Sequence, residues 1–376
     1  MNATKTLGMG FRVCFVLGTA AAVAAEPVWT QRFPVANPGE RSYHKMVYDD
    51  VRQMTLLWGD GWRIDDWTWG WDGRNWTVLA TTGPACRWRH ALAYDSNRGV
   101  TVLFGGSSLS QFDPETWEWD GSMWTMRAVT GPPPRIFSAM AHDSARGVVV
   151  LFGGVDSSYA DLGDTWEWDG NTWTERAIQG PSPRHKHAMA YDEARARVVL
   201  FGPDDQTWEY NGTVWEQRFP AAHPSPRVRF DMAYDSARQV VVLFGGFDGI
   251  TYFDDLWEWD GTNWTRRPIA NGPPGRDRHA MAYDSARDML VLYGGFSEAT
   301  FVLRDTWEYG PVFVGDFDGD GDVDLTDFFI LQLCFGGSNN PPAPTCPPGS
   351  NADLDGDCDV DLADFLIFQQ NFTGAL

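Results

Sequence analysis

One unit recurs through most of this chain and limits what the chain can fold into. In its clearest copy, Phe137-Ser-Ala-Met-Ala-His-Asp143 is followed by Val148-Val-Val-Leu-Phe-Gly-Gly154, then Asp164-Thr-Trp-Glu-Trp-Asp-Gly170, then Trp173-Thr-Glu-Arg176. The Asp that closes the first run recurs as Asp49, Asp95, Asp143, Asp192, Asp235 and Asp284, at intervals of 43 to 49 residues. A period in this range means stacked supersecondary units, because a single unit cannot bury its apolar face alone.

Each unit holds four short runs rich in β-branched and aromatic residues. The second run, as in Val240-Val-Val-Leu-Phe244, is apolar throughout, and its flanking Gly pair and short length read as a strand buried on both faces. The third run alternates, so the two indoles of Trp117-Glu118-Trp119 lie on one face and the Glu on the other. Asp120-Gly121, Asp169-Gly170 and Asp260-Gly261 supply the positive φ of a tight hairpin into a fourth run that opens with Trp124, Trp173 or Trp264. Four antiparallel strands repeated radially make the blades of a β-propeller.

These residues resemble the Kelch motif: the Arg-x-x-His lead-in (Arg184 to His187, Arg276 to His279), the double Gly ending strand two and the Trp opening strand four. The resemblance spans residues 26–310 and implies a propeller like the central domain of galactose oxidase. The sequence departs from it at Ser138 and Phe230, which stand at the His position, and at Gly202-Pro203. The first three runs occur six times, but no Trp-led fourth run follows Asp305-Thr-Trp-Glu-Tyr-Gly310. Val28-Trp-Thr-Gln-Arg-Phe-Pro34 nearly repeats Val214-Trp-Glu-Gln-Arg-Phe-Pro220, a fourth run in mid-chain. The expected fold is therefore all-β, a six-bladed propeller closed by the N-terminal strand, which removes two open edges.

Residues 1–25 carry Lys5 and Arg12 before the apolar stretch Val13–Ala25, the pattern of a secretory signal peptide. The expected destination is outside the cytoplasm: extracellular, at the cell surface or in the periplasm. No other run approaches the ~20 apolar residues of a membrane-spanning helix.

From residue 311 to 376 there is no Lys, Arg, His or Glu but 12 Asp, so this segment carries more than half of the formal charge of −22. Such a balance argues against nucleic acid and anionic membranes as partners. The acids are not scattered. Asp316, Asp318, Asp320, Asp322, Asp324 and Asp327 occupy positions 1, 3, 5, 7, 9 and 12 of a calcium loop, with Gly321 at the turn position 6. Asp353, Asp355, Asp357, Asp359, Asp361 and Asp364 repeat the spacing 37 residues later, with Cys358 at position 6. Each loop leads into an apolar segment with helical character, and the whole is expected to be a small module of paired loop–helix units. The duplicated loop–helix halves, with Asp at position 12, resemble a type I dockerin module. That resemblance implies two Ca2+ ions and docking onto a cohesin-like module of a partner protein. A left-handed turn at Cys358 would cost ~1–2 kcal/mol, so the second site is expected to be the weaker.

Four cysteines remain after residue 25: Cys86, Cys334, Cys346 and Cys358. An exported small module gains from a staple, and Cys334–Cys346 is the favoured bridge, with pairings to Cys358 left open. No nucleophile–base pair, metal cluster or carboxylate pair stands out in the propeller. His44, His90, His187 and His279 recur at one repeat position, as structural residues do, whereas a catalytic residue needs to occur once. Neither the copper ligands of galactose oxidase nor a sialidase Asp box is present.

One face can still be chosen. Loops after strands one and three are short and nearly constant, while those after strands two and four vary, and function gathers on variable loops. Trp62, Tyr159 and Tyr252 are the candidate aromatic platforms there. Arg41, Arg87, Arg135, Arg184, Arg227 and Arg276 form a candidate ring near the channel mouth, unless each pairs with a blade carboxylate. The leading expectation is a non-catalytic recognition or scaffold protein that binds a protein or glycan on this face and is tethered by its tail to an extracellular assembly. The alternative is a glycan-active enzyme using the same face.

Overall fold

The computed structural model describes residues 27–59, 66–108, 111–128, 130–269, 271–311, 314–317, 323–338, 340–347, 350 and 352–372. Among these residues twenty-four strands form six four-stranded antiparallel sheets, the blades of a propeller, and two helices follow. The third blade is representative: Ala139–Asp143 innermost, then Val148–Phe152, Thr165–Trp168 and Trp173–Arg176 outermost. The sixth blade takes its outer strand from the other end of the chain. Val28–Arg32 pairs with Phe301–Gly310 in the register Val28↔Gly310 to Arg32↔Thr306, and Arg32 bonds Glu308 at 2.7 Å. The expected signal peptide lies outside the described residues. Among the described residues no helix is long and apolar enough to cross a membrane.

The propeller core is six clusters, one between each pair of neighbouring blades. Between the fourth and fifth blades, for example, Val199, Phe201, Val241, Leu243, Trp259 and Trp264 pack together. Large rings carry much of this burial, but an indole also has an N–H that needs a partner once water is gone. Here the Trp opening strand four donates to the Thr that precedes the first Trp of strand three in the preceding blade. The pairs are Trp76–Thr306 at 2.9 Å, Trp124–Thr68 at 2.8 Å, Trp173–Thr116 at 2.8 Å, Trp215–Thr165 at 3.0 Å and Trp264–Thr207 at 2.8 Å. Trp29, at the ring-closing interface, meets Leu256 where the others meet Thr, and among the described residues its buried Nε1 has no hydrogen-bond partner.

The repeated Asp-x-x-Arg turn has an equally local cause. The first Asp accepts both the backbone N–H and the guanidinium of its Arg, as Asp143 does from Arg146 and Asp235 from Arg238. The same Arg reaches the strand-three Glu of its own blade: Arg98–Glu118 at 2.7 Å and Arg287–Glu308 at 2.7 Å. It also lies against the next blade's hairpin. At Gly261, with φ +89°, an added Cβ would lie 2.2 Å from Arg195 Nε, so only Gly serves there.

In the C-terminal segment, helices Leu325–Cys334 and Leu362–Asn371 share a core of Val323, Leu331, Ala352, Val360 and Phe368. Cys334 and Cys346 are disulfide-bonded, while Cys86 and Cys358 are not.

Candidate ligand face and candidate calcium loops

The loops after strands two and four do share one face. The residue after the Gly pair bridges to the lead-in of its own blade's inner strand, where the loop from strand four of the preceding blade arrives, in Ser107↔Trp88, Val155↔Ile136, Phe247↔Val228 and Phe296↔Asp277.

The six arginines proposed from the sequence are inside these loops, not on them. Arg41, Arg87, Arg135, Arg184, Arg227 and Arg276 are all 0–3 % exposed. Five of them donate to the carbonyl of the Gly that follows the apolar run of strand two, as Arg135 does to Gly153 at 3.1 Å and Arg276 to Gly294 at 2.9 Å. Carboxylates complete the set: Arg135–Asp164 at 2.6 Å, Arg227–Asp255 at 2.5 Å, Arg276–Asp305 at 2.8 Å, Arg87–Glu115 at 2.8 Å and Arg184–Asp204 at 2.8 Å. Asp164, Asp255 and Asp305 also accept an indole N–H, from Trp166, Trp257 and Trp307. Burial opposes ionisation of these three acids, but the Arg partners more than offset it and hold them below the usual aspartate range. As a ligand-facing ring the arginines are therefore corrected: their charge is consumed in holding the loops.

The ring that does face the mouth sits two residues further on. Tyr43, Arg89, Phe137, Lys186, Arg229 and Arg278 occupy one equivalent position in successive blades, and all six have left-handed backbone, with φ between +59° and +63°. Five backbone hydrogen bonds run from blade to blade through them, for example Phe137 N to Arg89 O at 2.9 Å and Arg278 N to Arg229 O at 2.8 Å. All are half-buried and line a cavity of about 50 Å3. Cations and rings interleave: Arg89 stands 5.2 Å from the Tyr43 centroid and 4.8 Å from that of Phe137, and Lys186 stands 5.1 Å from Phe137. The third position of each Arg-x-x-His lead-in always held a large aromatic or cationic residue, and that was the available signal.

Behind the ring lie the recurring histidines. Burial, reinforced by neighbouring arginines, pushes His44 and His187 down to about 3 and His90 and His279 well below the ordinary value. They are neutral packing groups. His185 is instead on the surface, where it pairs with Asp161 at 2.6 Å.

Of the aromatic platforms, Tyr159 is 70 % exposed and holds φ +63°. Tyr252 is not isolated on a polar loop: it lies 4.5 Å from the Phe247 centroid and 5.9 Å from that of Phe296. Trp62 is outside the described residues.

In the acidic segment Asp327 and Asp364 are fully buried and serve as the third helical residue of a capping box, with Asp324 and Asp361 as N-caps. Each also ties the start of its loop to its helix, through Phe317 N to Asp327 at 2.6 Å and Leu354 N to Asp364 at 2.6 Å. Around Asp364 two carboxylate groups of three form, Asp353–Asp355–Asp364 and Asp359–Asp361–Asp364, each with ligand atoms within 4.8 Å of one another. Oxygens at that separation fit around one calcium ion with 2.3–2.6 Å bonds. Burial, and then the nearby Asp357 and Asp364 carboxylates, raise the Asp355 carboxyl. Cys358 adopts φ +75°, the left-handed turn expected of position 6. Asp316 is described but Asp318, Asp320, Gly321 and Asp322 lie outside the described residues.

Fold and site together define a six-bladed propeller with one differentiated face, followed by a paired acidic loop–helix segment. No family model matches the chain, and no curated protein does. Among solved structures it is similar to the one titled "Structure of YjhT", at 13% identity and TM-score 0.56, covering 73% of this chain and 95% of that one. At that identity the likeness shows the propeller fold alone.

Proposed function

We propose that this is an exported, Kelch-type recognition protein that binds a protein or glycan on the variable-loop face. Its dockerin-like tail, loaded with two Ca2+ ions on Asp316–Asp327 and Asp353–Asp364, tethers it to a cohesin-like module of a larger extracellular assembly. The observation that carries the reading is a division of labour. The polar groups repeated in every blade are largely consumed in hydrogen bonds within and between blades, while the residues that differ between blades collect on one face around the channel. Bound calcium would neutralise clustered carboxylates and so couple metal affinity to folding of the tail.

The test is an array of glycans and proteins probed with the mature chain. A ligand so found should bind more weakly to the Tyr159→Ala and Tyr252→Ala variants and unchanged to Asn171→Ala, on the hairpin face. Equal losses from all three at matched stability would refute the choice of face.

One observation favours the glycan-active alternative. Asp277, fully buried beside the mouth, has its carboxyl raised above the aspartate range by burial, against the pull of Arg229 and Arg278. Perturbed acids of this kind are over-represented at catalytic sites. Turnover of an array-identified glycan that Asp277→Asn abolishes would establish it.

A further inference from the structure

We propose that the channel mouth is an anion site that holds a single oxyanion group, carboxylate or sulfate, borne on an otherwise uncharged ligand. The proposal rests on the variable-loop face being the binding face and names the chemistry at its centre.

Backbone strain is the first ground. Six large non-glycine residues adopt left-handed φ at one ring position, where Gly would bear no Cβ penalty. Strained backbone that the surroundings enforce gathers at ligand clamps, because the side chain is being aimed. What is aimed here is positive: Arg89, Lys186, Arg229 and Arg278, four of six positions in a chain of formal charge −22.

The charge is also poorly compensated. Among the described residues Arg89 and Lys186 make no ion pair, and their near contacts are the faces of Tyr43 and Phe137. Asp277 serves both remaining cations, at 2.7 Å from Arg229 and 3.4 Å from Arg278. Burial first, and then Arg229 and Arg89, depress the Lys186 ammonium, as expected where like charges crowd. A focal positive potential in a concave, low-dielectric mouth attracts anions.

Size and surroundings set the ligand class. A cavity of about 50 Å3 admits one small oxyanion or a few waters, not a chain. Below it Lys45, paired with Asp231 at 3.0 Å, lines both the mouth and the wider channel cavity of about 390 Å3. Around it the loops carry Asp156, Asp161, Asp248 and Asp254, which repel a polyanion but not a neutral body. That body would lie on Tyr252 and Phe296, the latter 4.7 Å from the Arg278 guanidinium.

Calorimetric titration of the mature protein with sodium sulfate and with sodium acetate, at ionic strength held constant with sodium chloride, tests this. Saturable binding is expected, weakened about tenfold or more by Arg89→Gln and by Lys186→Gln, restored by Arg89→Lys, and unchanged by Arg266→Gln on an outer strand. A stabilisation linear in sulfate and equal in all variants is only salt exclusion and overturns the proposal. So does a loss in Arg266→Gln matching that in Arg89→Gln. Tighter binding of polyglutamate per carboxylate than of acetate overturns the single-charge assignment. Array ligands that respond to Tyr159→Ala and Tyr252→Ala but not to Arg89→Gln would sink the ring while sparing the face. Sulfate binding at the ring without a loop-dependent array ligand would do the reverse.

Discussion

The inter-blade Trp–Thr bonds give a measurable quantity at a defined site. In Thr207→Val the shape is kept while the acceptor of Trp264 Nε1, 2.8 Å away and at a Trp only 2 % exposed, is removed. A buried donor left without a partner costs about 1–3 kcal/mol. For a propeller of this size that corresponds to a melting temperature lower by roughly 2–4 °C per kcal/mol. The double-mutant cycle isolates the bond: in a Trp264→Phe background Thr207→Val should cost about 1 kcal/mol less than in the native protein. The ring-closing interface should behave oppositely. Leu256→Thr there offers Trp29 the acceptor it lacks, so its cavity cost should be about 1 kcal/mol smaller in the native protein than in Trp29→Phe. Chemical or thermal unfolding of the four variants in each cycle measures both couplings. Equal costs of Thr207→Val in both backgrounds would refute the idea that these bonds contribute to holding the blades together.

Four further outcomes are expected. Acid should unfold the propeller early: His44 and His187 stay neutral in the fold down to about 3, so from pH 6.5 downward the unfolded state binds protons that the fold excludes. Together they should cost roughly 4 kcal/mol by pH 5, with stability rising as pH rises, and guanidinium melts between pH 5 and 8 will show it. The Arg-held acids Asp164, Asp255 and Asp305 add a second loss of the same sign below the ordinary aspartate pKa, as pH falls through their lowered values. Deleting residues 26–34 exposes the edge of Phe301–Gly310 and uncovers Leu256 and Phe244, and should lower solubility and melting temperature together; no change would refute ring closure. In the tail, calcium titration followed by calorimetry should show the Asp316–Asp327 loop filling first, and Cys358→Gly should tighten the second site by about 1 kcal/mol as its left-handed strain is relieved.

Much of this architecture was legible before any coordinates. A period of 43 to 49 residues, Gly pairs after apolar runs and Asp-Gly before Trp are local signals, and each specifies strand, turn and hairpin over a few residues. Closure was legible because Val28–Pro34 copies a strand found elsewhere in the chain. The grouping of carboxylates around Asp364 is equally local, since positions along one loop set which acids can meet.

The tertiary structure decided what depends on direction and on neighbours from other blades. Arg87 and Arg89 are two residues apart and chemically alike, yet one is buried against Gly105 and Glu115 while the other faces the channel. Arg89 itself is left-handed, at φ +63°, and nothing in a pattern of polar and apolar residues encodes that turn. Tyr252 meets Phe247 within its own loop, but it gains Phe296 as a second aromatic neighbour only because the loops of two adjacent blades meet. Among the described residues Trp29 lacks an acceptor only because the ring brings it to Leu256, 227 positions away in sequence. Repetition along a chain records what every blade does for itself; a partner supplied by the next blade exists only once the ring is closed.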